Sequence, residues 1–161
     1  MAKLNFKLIP MTEDDLKNEI LPRLMHAENH FRSEGGDPTF WHVLAFRDPD
    51  DELEDWYCLR DHSGRLCAMI QYCGNQIYRA QSFDDCEDQD GLSDVIRFVV
   101  RRIEKDGQTS VVFRSATSEK ERRVLDQLGF VAGPENHRQF FFTKSDRDYR
   151  LKLSNRAYAS A

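Results

Sequence analysis

The apolar residues of this sequence change their spacing near residue 90, and that change limits the folds open to the chain. Before it, residues 55–61, 65–73 and 75–83 are short strand-like runs rich in apolar residues and are separated by short turns, which is typical of an antiparallel meander. After it, apolar residues recur at helical spacing at Leu92, Val95, Ile96, Val99 and Ile103. The sequence therefore predicts a meander followed by a helix that packs on the sheet.

The flanking segments complete the predicted order of elements. Residues 3–11 alternate as a first strand, and the helical pattern after it is expected to be divided in two by Pro22. Residues 109–115 predict a buried strand, followed by a helix and, from residue 129 onward, two further strands. The order β–α–α–β–β–β–α–β–α–β–β predicts a mixed α/β (α+β) fold, with helices on both faces of a central mixed, mostly antiparallel sheet.

Length and charge narrow the class of protein. The 161 residues predict a single domain, which we place at residues 1–145, and residues 146–161 lack an apolar period and predict a C-terminal tail. The net charge of −5 argues against a general nucleic-acid binder, and no apolar run is long enough to span a bilayer. The first residues lack the pattern of a signal peptide, so we expect a cytoplasmic protein without a membrane partner.

The cysteine and histidine residues suggest a metal site, but their spacing does not fit one. Cys58, His62, Cys67 and Cys73 follow a C-x3-H-x4-C-x5-C spacing, which fits no usual structural zinc site. We expect these thiols to be core residues in a reducing compartment. The acidic segment around Gly91 also fails as a calcium loop, because an arginine stands where the last glutamate ligand belongs. The sequence predicts no metal.

One stretch carries a resemblance to a known family. Residues 110–131 read SVVFRSATSEKERRVLDQLGFV, which is a strand, a helix that closes on a leucine, and Gly-Phe at the start of the next strand. With the predicted order of elements, this resembles the GNAT superfamily of N-acyltransferases over about residues 3–143. The resemblance implies an acyl-CoA donor such as acetyl-CoA. It also implies an amine-bearing small molecule or protein as the acceptor, with a homodimer as one expected assembly state.

The resemblance places the donor's pyrophosphate on a glycine-bearing loop at the start of the central helix, here DQDGLS at residues 88–93. Small residues let backbone N–H groups approach the phosphates, and the helix N-terminus adds positive potential. The cofactor-binding residues predicted in this way are Asp88, Gly91, Leu92, Ser93 and Ser118. Asp88 stands where the family has glutamine or arginine, so its carboxylate would repel phosphate unless it turns away.

An N-acyltransferase also needs a base that takes a proton from the amine. Asp84, Asp85 and Glu87 follow the third strand of the meander, near where family members hold such a base, and they are the predicted catalytic residues. Solvated carboxylates at a helix start would give the same pattern. Many family members place a tyrosine four residues before the glycine of Gly-Phe, where it protonates the leaving thiolate. This sequence has Leu125 there, which cannot donate a proton.

Several functions therefore stay open on the sequence alone. The first is an N-acyltransferase that moves an acyl group from coenzyme A to an amine. The second is a GNAT-like binding or regulatory module that has lost coenzyme A, and the third is an unrelated mixed α/β binding protein. His26 and His30, one helical turn apart, are more typical of a surface pair than of a zinc site. In a GNAT-like fold their helix would border the acceptor.

Overall fold

The computed structural model describes residues 6–23, 53–83, 91–116, 119–139 and 143–153. Its elements in chain order are β1 (Lys7–Pro10), α1 (Glu13–Asp15), β2 (Trp56–Arg60), β3 (Leu66–Cys73), β4 (Gln76–Ser82), α2 (Gly91–Lys105), β5 (Ser110–Ala116), α3 (Glu119–Gln127), β6 (Val131–Gln139) and β7 (Thr143–Lys152). A π-helical turn, Leu16–Ile20, follows α1 directly. None of the helices in these ranges is long and apolar enough to cross a membrane.

The described strands form one seven-stranded sheet in the order β1-β2-β3-β4-β5-β7-β6. The first four strands are an antiparallel meander. The next pair, β4 and β5, is parallel, because α2 carries the chain back across the sheet between them. The last strand, β7, lies antiparallel between β5 and β6. The predicted mixed, mostly antiparallel sheet is confirmed.

Helices lie on both faces of this sheet, also as predicted. On one face, Leu59 and Ile70 pack in the apolar cluster that contains the buried side of α2 and α3. On the other face, Cys58 and Met69 pack in a second cluster with the first helical segment. Consecutive residues of β2 and β3 therefore belong to different clusters, which is the period of two of a β-strand. Both faces are buried, so both sets of residues are apolar.

The first helical segment is held to the sheet by ion pairs as well as by apolar contacts. Thr12 and Asp15 form a reciprocal capping box. The Arg60 guanidinium on β2 lies 2.9 Å from Asp15 Oδ1 and 2.9 Å from Glu19 Oε2. Burial of Asp15 works to raise its pKa, but the hydrogen bonds from Thr12 and the charge of Arg60 outweigh it, so the pKa lies below 3.8. One arginine thus joins two turns of the helical segment to β2.

Pro22 was expected to divide the first helical region, and the structure shows how the helix accommodates it. The π turn ends at Ile20, where the Leu21 N–H donates to the Leu16 carbonyl, and residues 21–23 are again α-helical. A wider turn relieves the contact between a proline ring and the preceding carbonyls. Within the described residues, the predicted break is therefore a π turn inside a continuing helix.

The predicted tail needs correction, because residues 146–152 lie in β7 at the centre of the C-terminal part of the sheet. Tyr149 and Leu153 are buried and Leu151 is half-buried, so alternate residues enter the core. The charged residues between them form the outer face of the strand. They interrupt the apolar residues in the sequence, so the period of two is difficult to recognise there. The residues after 153 are outside the described part of the chain.

Candidate functional site

The parallel strands β4 and β5 are paired over a very short distance. The ladder joins Gln76 to Val112 and Ile77 to Phe113, although β4 continues to Ser82 and β5 continues to Ala116. Beyond Ile77 and Phe113 the two strands are not paired. We call the space between their unpaired parts the β4–β5 gap, with its closed end at the Ile77–Phe113 pair and its open end at Ser82.

A β-bulge in β4 coincides with the closed end of this gap. On β3, Tyr72 pairs with Ile77 and the adjacent Gln71 pairs with Arg79, so Tyr78 is an extra residue in β4. As a result Ile77 and Ala80, three residues apart, both enter the cluster that packs against α2. An extra residue bends its strand and increases the local twist. The bulge therefore accounts for β4 leaving β5 immediately after Ile77.

The central helix α2 begins at the open end of the gap, in close contact with the sheet. A Cβ atom added to Gly91 would lie 3.0 Å from the Cys67 carbonyl oxygen and 3.3 Å from Ser82 Cβ. A side chain at this position would require its neighbours to shift by a few tenths of an ångström, so glycine suits the close approach. The helix runs for 15 residues, so its N-terminus directs a positive partial charge toward the open end.

Of the predicted cofactor-binding residues, Gly91, Leu92 and Ser93 form this helix start, and all three are buried. The Leu92 side chain belongs to the core cluster. Leu92 can therefore contact a ligand through its backbone N–H but not through its side chain. Asp88 and Ser118 lie outside the described residues. The binding role assigned to this set stays a prediction.

The predicted catalytic residues Asp84, Asp85 and Glu87 also lie outside the described residues, as do His26 and His30. The flanking residues nevertheless fix where their segment is attached. It follows Phe83, whose N–H donates to the Cys67 carbonyl, and it precedes Gly91, the first residue of α2. Both attachments are at the open end of the β4–β5 gap.

Lys120 is a basic residue at the open end that the sequence did not reveal. It lies in the first turn of α3, and its Nζ is 3.3 Å from Ser82 Oγ at the end of β4. Ser82 in turn borders Gly91. A cation therefore lies near the α2 N-terminus, and both favour an anion at this place. The contact joins residues 38 positions apart, which no local pattern could predict.

The tyrosine position of the family lies inside the core of this protein. Leu125 is fully buried, with 0% exposure, in the cluster under α3. Tyr72 packs against Tyr57, with ring centroids 5.0 Å apart. Tyr78 is different, because its side chain is 41% exposed and it is the bulge residue at the closed end. It supplies a hydroxyl group there.

The face of the gap that points away from α2 and α3 carries polar groups at its closed end. Phe113 faces the core, so the next residue of β5, Arg114, faces the other way. Its Nη1 donates to Gln76 Oε1 at 3.4 Å, and its Nε lies 3.6 Å from Asp148 Oδ2. Both contacts are long, and the Arg114 side chain is 45% exposed.

The cysteines provide no metal site in the described ranges, where no group of three or more histidine, cysteine, aspartate or glutamate residues could hold a metal ion. Cys58 and Cys67 are buried thiols, as expected. Burial raises the pKa of Cys58 to about 12, so its thiol stays protonated. The expectation of a core position is wrong for Cys73, which is exposed beside the turn that joins β3 to β4.

No protein-family model matches this sequence, and no curated protein matches it in sequence. Solved structures do match. A GCN5-related N-acetyltransferase from Rhodopseudomonas palustris matches with a TM-score of 0.67 and 16% identity, over 95% of this chain and 99% of that one. A GNAT-family acetyltransferase from Listeria monocytogenes gives 0.61 and 10%, over 92% and 95%. The spermidine N-acetyltransferase of Vibrio cholerae, in complex with CoA and spermine, gives 0.60 and 11%, over 92% and 95%.

These similarities extend over nearly the whole chain, and they include the seven-stranded sheet with its helices. At 10–16% identity they show the fold alone. The chain has the GNAT fold, which confirms the resemblance drawn from its sequence.

Proposed function

We propose that this protein is a divergent GNAT N-acyltransferase that moves an acyl group from coenzyme A to an amine. The observation that carries the proposal is the β4–β5 gap, which has the N-terminus of α2 and the Lys120 ammonium at its open end. In a GNAT fold, this combination suits a donor with an amide-bearing arm and an anionic end.

The residues around the gap fit such a donor. The pantetheine arm of coenzyme A is extended and contains amide groups, so it can lie along β4 in the manner of an added strand. The pyrophosphate then reaches the backbone N–H groups at the start of α2, beside Lys120. The acidic residues 84–90 work against this attraction. Lys120 supplies a cation at this end of the gap, whereas the loop position at which the family has glutamine or arginine holds Asp88 in this sequence.

The reaction follows from where this geometry holds the acyl group. With the pyrophosphate at the open end, the thioester lies toward the closed end, near Tyr78 and Arg114. The amine nitrogen attacks the thioester carbon, the C–S bond breaks, and an amide forms. The enzyme contributes orientation and backbone N–H groups that stabilise the developing oxyanion.

Proton transfer needs a base for the amine and a donor for the departing thiolate. We assign the base to the carboxylates Asp84, Asp85 and Glu87. Because their segment is attached at the open end and the thioester lies toward the closed end, the proton of the amine has to reach them through water. Leu125 cannot protonate the thiolate. The exposed Tyr78 hydroxyl is the group that we assign to this step. The Vibrio cholerae structure, which contains CoA and spermine, supports an amine as the class of acceptor.

The first test is calorimetric titration of acetyl-CoA into the purified protein, with Lys120→Gln and Lys105→Gln as a matched pair. Lys105 lies at the opposite end of α2. Lys120→Gln should weaken binding by roughly three- to tenfold at low salt, and by less at high salt, because a solvent-accessible charge pair is screened. Lys105→Gln should leave the affinity unchanged.

Release of free thiol from acetyl-CoA in the presence of an amine panel then tests the transfer itself. No binding of acetyl-CoA at millimolar concentration would contradict the proposal and leave a binding module with a GNAT fold. Binding without turnover of any amine would favour the same alternative. Gly91 is unsuitable for this test, because any larger residue at that position disturbs the packing of α2 against the sheet.

A further inference from the structure

The side of the β4–β5 gap from which an acceptor approaches is set by the helices. On one face, α2 and α3 pack against β4 and β5 through the main core cluster. A donor in the gap is therefore covered on that face. In the proposed reaction, the amine has to approach the thioester from the opposite face, where Gln76 and Arg114 meet.

Arg114 is the charged group placed to meet that amine. It is the first residue of β5 after the last pair with β4, so its side chain lies at the closed end of the gap, where the thioester is expected. Two contacts at 3.4 and 3.6 Å hold it loosely, and nearly half of its side chain is exposed. A ligand with better geometry can therefore replace either contact at small cost.

The neighbouring strand adds positive charge on the same face. Arg150 of β7 is exposed and pairs across the sheet with Val112, which is two residues before Arg114 and shares its face. Asp148 is the acidic residue that accompanies them. Among these three described side chains, the two guanidinium charges outnumber the one carboxylate on this side of the gap.

From this arrangement we infer that the acceptor is a small amine that also carries a carboxylate, and that Arg114 binds that carboxylate. The inference rests on the proposed function and names its substrate class. A guanidinium group presents paired N–H donors whose geometry matches a carboxylate. A polycationic amine would instead meet a like charge next to the reacting atom.

The test compares acceptors that differ in this one group, namely a panel of amino acids and the corresponding amino acid amides, with spermidine added. In each pair, the wild-type protein should have a kcat/KM for the amino acid that is roughly tenfold to hundredfold higher than for the amino acid amide. A hydrogen bond to a charged group is worth about that ratio. Arg114→Gln should remove the preference, mainly by raising KM for the amino acid. The amide should react as before.

Two further variants separate binding from folding. Arg114→Lys keeps the charge but loses the paired donors, so it should restore only part of the preference. Arg97→Gln, on the exposed side of α2, should change nothing. The affinity for acetyl-CoA, measured by calorimetry, should be equal in all variants, and their circular dichroism spectra should match the wild type.

The outcomes distinguish this inference from the proposed function. If acetyl-CoA does not bind or no amine is acylated, both fail together. If amines are acylated but the amides or spermidine react as well as the amino acids, the acceptor class is wrong and the transferase stands. A carboxylate preference that survives in Arg114→Gln would overturn the role of Arg114.

Discussion

Gly91 illustrates, at the scale of single residues, how one sequence signal can have two physical causes. In the sequence it matches the glycine of a phosphate loop. In the structure its missing side chain is what allows α2 to touch the ends of β3 and β4, 3.0 Å from the Cys67 carbonyl oxygen. Both requirements come from a close approach of backbone, one to a ligand and one to the sheet. A glycine alone could not distinguish them.

Replacing Gly91 by alanine should therefore lower stability whether or not a ligand binds. A methyl group 3.0 Å from a backbone carbonyl forces α2 to shift, and overpacking of this kind costs about 1–3 kcal/mol. Chemical denaturation of the ligand-free protein measures the loss. Gly74→Asn is the control, because a Cβ atom added to Gly74 would meet nothing within 4 Å and its φ of +59° is one that asparagine tolerates. Equal stability of Gly91→Ala and the wild type would contradict the packing role.

At the scale of secondary-structure elements, the sequence predicted the order of strands and helices but not the bulge in β4. The meander, the helix after residue 90 and the crossover to β5 all follow from apolar spacing. The bulge depends on the pairing of Tyr72 with Ile77 and of Gln71 with Arg79, which is a relation between two strands. The spacing of Ile77 and Ala80 is its only trace in the sequence, and polar neighbours make that trace ambiguous. The closed end of the gap was therefore missed.

The docking of the first helical segment on β2 should depend on pH through Asp15. Its pKa is lowered in the folded protein, so its contribution to stability is complete above the unfolded value near 3.8 and is lost as pH falls through the lower folded value. Asp15→Asn should cost about 1 kcal/mol at neutral pH, because partial exposure screens the pair with Arg60.

Denaturation of both proteins at neutral pH and at about pH 3 checks this prediction. The difference between wild type and Asp15→Asn should shrink at the lower pH. If the difference in unfolding free energy between wild type and Asp15→Asn grew as pH fell, the pH dependence would have the opposite sign and the role of Asp15 would be refuted.

At the scale of the whole molecule, β7 decides whether the C-terminal part of the sheet exists. It is paired on one side with β5 and on the other with β6, so it is the bridge between them. The sequence suggested a tail because charged residues occupy the outer face of this strand. Among residues 147–153, whose burial the structure describes, Tyr149 and Leu153 are buried and Leu151 is half-buried. Such a short alternation between charges is a weak signal.

Truncation tests this role directly. A chain that ends at residue 145 loses most of β7 and leaves β5 and β6 without a common neighbour, so it should fail to unfold cooperatively. A chain that ends at residue 153 retains the strand and should keep a sharp transition. Thermal unfolding followed by circular dichroism distinguishes them. A cooperative transition in the shorter chain would show that residues 146–152 are dispensable, as a tail would be.

The place of β7 also sets the order in which the protein can be completed during synthesis. The ribosome produces β6 before β7, yet β6 has no direct pairing with β5 and reaches the sheet only through β7. In a nascent chain that ends after residue 139, β6 is complete but its pairing partner β7 has not been made. The edge of β5 that pairs with β7 is then open. The C-terminal half of the sheet has to assemble after translation has passed residue 152, when long-range pairing becomes available all at once.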